Sequence, residues 1–255
     1  MADIKLLDTL CAGDHPENKP TQVDLKQLRI GYQKSWFFEG LHPWVQENVD
    51  QIMKELSQAG VTLVEIKGLP AERCYQNLLA LVLSDFPGAV ARYFNRHRVY
   101  DKSVFGLMHE LHMDAFKKIW LPGMDSSAFG EDYFKLVEQV LEDRKTCNKV
   151  MTENKIDTLM YPSSKIPNTP NDGADTLAAK GPLGDEILPE TQFGANMLFA
   201  PVQRTPSISM FSGLDKAGLP LSITFDGYSG QDRKLLDIAE VVEKVLPPLA
   251  EPKSI

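Results

Sequence analysis

The stretch from Thr205 to Leu246 constrains this chain more than any other, because it can be parsed only as strand, turn, strand, turn and helix. Ile208, Met210 and Phe211 form an apolar run opened by Thr205-Pro206 and closed by Gly213. Asp215-Lys216-Ala217-Gly218 supplies turn chemistry, with a glycine free to take positive φ. Leu219, Leu221, Ile223 and Phe225 then alternate with Pro220, Ser222 and Thr224, the period-two pattern of a half-buried strand. Gly227 and Gly230 break it, and Gln231-Asp232 open a helix whose apolar residues run from Leu235 to Leu246 until Pro247-Pro248 end it. A two-stranded unit does not hold together alone, so the pattern implies a larger sheet.

That sheet is supplied upstream. Leu28, Ile30 and Tyr32 read as a strand ended by Lys34-Ser35; Val45, Val49, Ile52, Met53 and Leu56 read as a helix stopped at Gly60; Val61 to Ile66 is a further strand. Strand, helix, strand at this spacing is a crossover unit, which implies parallel pairing. Ile4, Leu6, Leu7, Leu10 and Cys11 predict a short N-terminal helix. Residues 71–98 read as a helix interrupted near Pro87, Tyr133 to Asn154 as a second long helix, Thr158 to Pro162 as a buried strand, and Thr191 to Phe199 as a short helix. Residues 163–190, rich in Pro, Gly, Asn and Asp, read as a long irregular loop, the kind that is often functional. The fold class is therefore α/β, a mixed and partly parallel sheet flanked by helices.

The bulk properties narrow the partners. A net charge of −8 argues against nucleic acid, whose phosphates call for a basic surface. No apolar run reaches the length of a membrane span, and the acidic N-terminus lacks the basic start of a secretory signal. Cys11, Cys74 and Cys147 are odd in number and form no CxxC, which reads as reduced thiols in a cytoplasmic protein, each buried on a helix stripe.

The local chemical motifs are weak. His109-Glu110-Leu111-His112 places its histidines three apart, whereas a zincin needs four so that both imidazoles share a helical face; no metal site is expected. Ser163-Ser164-Lys165 puts serine and lysine on adjacent residues of an extended chain, pointing to opposite faces, so a solvated loop is expected rather than a relay. Trp36, Phe37 and Phe38 read as core packing rather than an aromatic pocket.

Taken together, Pro206-Ser207-Ile208-Ser209-Met210, Gly218-Leu219-Pro220-Leu221-Ser222-Ile223 and Gln231-Asp232-Arg233-Lys234-Leu235-Leu236 resemble the C-terminal signature of the amidase signature family. Asp226-Gly227 and Gly230-Gln231-Asp232-Arg233 resemble its mandelamide and indoleacetamide hydrolase branch most. Ile4 to Pro16 is similar to the helix end that, in that family, follows the catalytic region, so all of 1–255 corresponds to the C-terminal portion of an amidase domain. The resemblance implies hydrolysis of a carboxamide to acid and ammonia through an acyl-serine, with aryl-acetamide-type substrates and no cofactor.

The family's nucleophile lies in a Gly/Ser-rich loop that also builds an oxyanion hole, and this sequence contains no Gly-Gly-Ser. No residue here inherits the Ser-Ser-Lys triad, and the resemblance implies a catalytic half preceding Met1, lost by truncation or carried on another chain. It assigns to this portion the far wall of the acyl pocket: Phe105 to Met113, Thr191, Phe193 and Asn196. The expected partner is a small-molecule amide once the catalytic half is supplied, with a homodimer or a partner chain left open. A sheet edge should then stand exposed. The alternative is a non-catalytic binding module or subunit derived from an amidase.

Overall fold

The computed structural model describes residues 1–13, 22–110, 131–168 and 194–248. The elements in chain order are α1 (Ala2–Ala12), β1 (Arg29–Tyr32), α2 (Pro43–Gln58), β2 (Thr62–Glu65), α3 (Ala71–Arg96), α4 (Val104–Glu110), α5 (Glu131–Glu153), β3 (Thr158–Pro162), α6 (Phe199–Gln203), β4 (Ser207–Leu214), β5 (Pro220–Asp226) and α7 (Asp232–Glu243).

The strands form one five-stranded sheet in the order β2-β1-β3-β5-β4. β1 runs parallel to both β2 and β3, while β5 is antiparallel to β3 and β4. The mixed, partly parallel sheet read from the sequence is the one observed. Among the described residues β2 and β4 each pair on one side only, so both edges are open.

Alternation along β3 divides the core. Met160 faces a cluster built from Ile30, Ile52 and Leu56 with Leu235, Ile238 and Val242, beneath α2 and α7. Leu159 and Tyr161 face the other way, into Phe37, Cys74, Val140, Cys147 and Phe199 beneath α3, α5 and α6. The sheet is thus the middle of three layers. On the second face Arg73 of α3 donates through Nε to Asp143 of α5 at 3.0 Å, and Asp143 is fully buried.

Two glycines are required by close approach. A Cβ on Gly31 would run into Ile156 Cδ1. Gly213 has φ of 144°, forms a bulge in β4, and would place a Cβ 2.7 Å from Asn48 Nδ2. Asn48 donates to the Ser212 carbonyl at 2.8 Å and accepts from the Ser212 hydroxyl at 2.7 Å, tying α2 to β4.

Several sequence expectations need correction. Pro87 lies inside α3 without interrupting it: only its own missing N–H is lost, at a half-exposed position. The short helix expected at Thr191 to Phe199 instead starts at Phe199, with Leu198 as its N-cap; 191–193 lie outside the described residues. Cys11 is exposed, not buried, because α1 turns its polar side inward. Lys5 bridges Asp237 at 2.6 Å and Glu240, and Asp8 pairs with Arg233 at 2.9 Å, while Leu6, Leu7 and Leu10 face outward. Cys74 and Cys147 are buried as expected.

Candidate functional site

On the face of the sheet that carries Tyr161, the β4–β5 end is polar. The register sets Ser207 opposite Asp226 and Ser209 opposite Thr224, so their side chains share one face. The Thr224 hydroxyl is 2.7 Å from Ser163 Oγ and 2.8 Å from Ser209 Oγ, a chain of three hydroxyls crossing three segments. Alternation called for an outward Thr224, yet Thr224 and Asp226 are both buried, because β3 and β4 flank β5 and the second layer reaches over its end.

Asp226 is the least expected of these residues. It is 1% exposed. Its Oδ2 accepts from Tyr161 OH at 2.6 Å, while its Oδ1 is buried with no hydrogen-bond partner. Burial pushes its carboxyl up to about 6, against the opposing pull of the Ser207 and Tyr161 hydroxyls. Burial and the neighbouring Asp226 charge push the Tyr161 phenol well above its ordinary value.

Asp226 lines a cavity of about 460 Å³ between α5, α6 and the loop from β5 to α7. Met151, Phe199 and Tyr228 give it apolar walls, and Arg144 and Arg204 lie on it as well. Arg204, the C-cap of α6, adopts the left-handed conformation (φ 54°, ψ 42°) and is exposed. Arg144 donates through Nε to the Val202 carbonyl at 2.5 Å, and burial followed by repulsion from Arg204 lowers its pKa. A cavity of this size is within the usual range of a small-molecule site.

Of the residues expected to wall an acyl pocket, the structure describes Asn196 and most of α4. Thr191 and Phe193 lie outside the described residues. Asn196 is fully buried and donates through Nδ2 to the carbonyls of Phe37 (3.0 Å) and Pro162 (2.8 Å), leaving Oδ1 without a partner. It ties the end of β3 to the Trp36–Phe38 turn. Its neighbour Met197 lines a second cavity of about 180 Å³ together with Ser163 and Ser164. Phe105 to Glu110 belong to α4, and Leu111 to Met113 lie outside the described residues.

Ser163-Ser164-Lys165 is not a solvated loop: Ser163 and Lys165 are buried, at 2% and 4% exposure. The two side chains nonetheless part company. Ser163 joins Thr224, whereas the Lys165 ammonium sits 4.6 Å over the Trp36 ring, where burial lowers its pKa. Among the described residues no serine hydroxyl hydrogen-bonds to a lysine or a histidine. Phe37 is fully buried and stacks on Tyr161, so core packing holds for it. His109 is on α4 and His112 lies outside the described residues; no group of three or more metal-ligating side chains occurs among the described ones. No described helix is long and apolar enough to cross a membrane.

The model of the Amidase family matches residues 3–236. Indoleacetamide hydrolase of Allorhizobium ampelinum is 25% identical, over 96% of this chain and 52% of that protein. Mandelamide hydrolase of Pseudomonas putida is 23% identical over 96% and 48%. A glutamyl-tRNA(Gln) amidotransferase subunit of Fusobacterium nucleatum is 27% identical over 90% and 47%. A solved amidase crystal structure superposes with a TM-score of 0.73 at 18% identity, covering 96% of this chain and 51% of that one, a likeness of fold. The chain spans about half the length of the curated relatives it matches.

Proposed function

Because this chain belongs to the amidase family, we propose that it forms the C-terminal part of an amide hydrolase that converts a carboxamide and water to a carboxylic acid and ammonia through an acyl-serine. The observation that carries the reading is the family match over residues 3–236, with indoleacetamide and mandelamide hydrolases among the relatives. These two favour aryl-acetamide-type substrates. The nucleophilic serine, its bridging serine and its lysine would come from outside these 255 residues, on a longer chain or on a partner.

In that arrangement the chain supplies walls rather than chemistry. Thr191, Phe193 and Asn196 would stand behind the acyl group, with Asn196 acting by holding Phe37 and Pro162 in place. A second reading, a non-catalytic binding module or subunit, draws on the glutamyl-tRNA(Gln) amidotransferase subunits among the relatives. The free, buried Cys74 and Cys147 fit a reducing, cytoplasmic setting.

The test is the intact mass of the native species carrying this sequence, followed by ammonia release from indole-3-acetamide and mandelamide. A species heavier than 28.5 kDa, or a complex, that releases ammonia supports the hydrolase. Ammonia release by the isolated 28.5 kDa chain would overturn the assignment of the triad to other sequence, and a heavier species that releases none would favour the module.

A further inference from the structure

Two of the three cysteines meet inside the second layer of helices. On α3, Arg73 and Asn77 both donate to the buried Asp143 of α5, at 3.0 and 3.4 Å, which fixes the register of the two helices. Cys74 follows Arg73, and Cys147 lies one turn beyond Asp143, so the same register sets the two thiols against each other. Their side chains are hydrogen-bonded to one another, and α6 adds a third group, Gln203, whose Nε2 donates to Cys74 Sγ at 3.1 Å. Cys74 is fully buried, whereas Cys147 keeps 3% exposure and is part of the wall of the cavity of about 460 Å³. A single buried cysteine is ordinary core filling, but two in contact are a pair of reducing equivalents.

We propose that Cys74 and Cys147 are a modification site, at which hydrogen peroxide entering the cavity converts the two thiols to a disulfide that cross-links α3 to α5. The Cys147 sulfur takes one oxygen as the O–O bond breaks, giving a sulfenic acid and one water. The Cys74 sulfur then displaces that oxygen, forming the S–S bond and releasing a second water. In sum two thiols lose two electrons and one peroxide gains them. The hydrogen bond to Cys74, and then burial, hold the Cys147 proton far above the usual thiol range, so the first step is slow and the pair persists as a dithiol in a reducing setting. The inference goes beyond the hydrolase reading, since it involves no amide and no residue outside this chain.

The test treats the 255-residue chain carrying Cys11→Ser, which removes the exposed thiol, with hydrogen peroxide and digests it without reduction. A peptide joining Cys74 to Cys147 should appear, and dithiothreitol should abolish it. Thiols open to alkylation in urea should fall from two to none. Because the bond closes a long loop, the oxidised chain should melt about 5 °C or more above the same sample after dithiothreitol. Oxygen added to either cysteine without a linked peptide overturns the proposal. So do two thiols that stay alkylatable under conditions that oxidise Cys11 of the parent chain. A linked peptide with an unchanged or lowered Tm would place the bond in unfolded molecules and overturn it equally. Ammonia release by the native species is read separately, so either result leaves the hydrolase reading standing or falling alone.

Discussion

Replacing Asp226 by asparagine should make the chain more stable at alkaline pH relative to its stability at acid pH. The folded carboxyl titrates near 6, against an ordinary value of 3.8, because burial disfavours its charge. A group whose folded pKa is raised holds its proton more tightly in the native state than in the unfolded one. Its contribution is therefore most favourable below pH 3.8 and is lost as pH rises through 6. The difference of two units and a little more corresponds to about 3 kcal/mol. Roughly half of it, about 1.5 kcal/mol, is lost between pH 5 and pH 8. Asparagine keeps an acceptor for the Tyr161 hydroxyl but has no charge to desolvate. Urea unfolding of parent and variant at pH 5 and pH 8 isolates the effect, since all other titrations cancel in the comparison. The stability difference between variant and parent should move by about 1.5 kcal/mol in favour of the variant between the two pH values. A difference that does not change with pH would refute the burial of an ionisable carboxyl at this position.

Other perturbations follow from the same geometry. Asn196→Ala should cost about 2–4 kcal/mol in urea unfolding, because it leaves two carbonyls, of Phe37 and Pro162, without their donor. Gly213→Ala combines a positive φ with a 2.7 Å approach to Asn48 and should cost about 1–3 kcal/mol, visible as a lowered Tm. Leu10→Lys, at a side chain 73% exposed, should change stability by less than about 0.5 kcal/mol. Hydrogen exchange of the α1 amides should quicken in high salt, since ion pairs to α7 hold that helix while its leucines face outward.

Much of the sheet was legible because its signals are local. The period-two run from Leu219 to Phe225, its glycine turn and the helix from Asp232 on mark β5 and α7, and the spacing of β1, α2 and β2 marks a parallel crossover. Burial that depends on neighbours was not legible. Thr224 and Asp226 look like outward residues until β3 and the second layer of helices close over them, and nothing in Thr-Phe-Asp-Gly announces a carboxylate with an unpartnered oxygen. Lys165 likewise reads as a loop cation, and only the fold brings the Trp36 ring beneath it. The apolar face of α1 was visible as a pattern, but which side would meet the protein was decided by Asp237, Glu240 and Arg233, far away in sequence. The Asp226 cavity joins residues from α5, α6 and the loop after β5, a juxtaposition that no single segment contains.

The position of β3 bears on how the chain assembles. β1, α2 and β2 close on one another through near neighbours in sequence, and so do β4, β5 and α7; contacts of that kind form early. β3 alone hydrogen-bonds to both units, parallel to one and antiparallel to the other, and its pairings with β1 span the long intervening helices. Two quickly formed halves would therefore wait on one late strand. Its arrival, with Met160 entering the core that α2 and α7 share and Leu159 and Tyr161 the core beneath α3, α5 and α6, would join the two halves into a single cooperative unit.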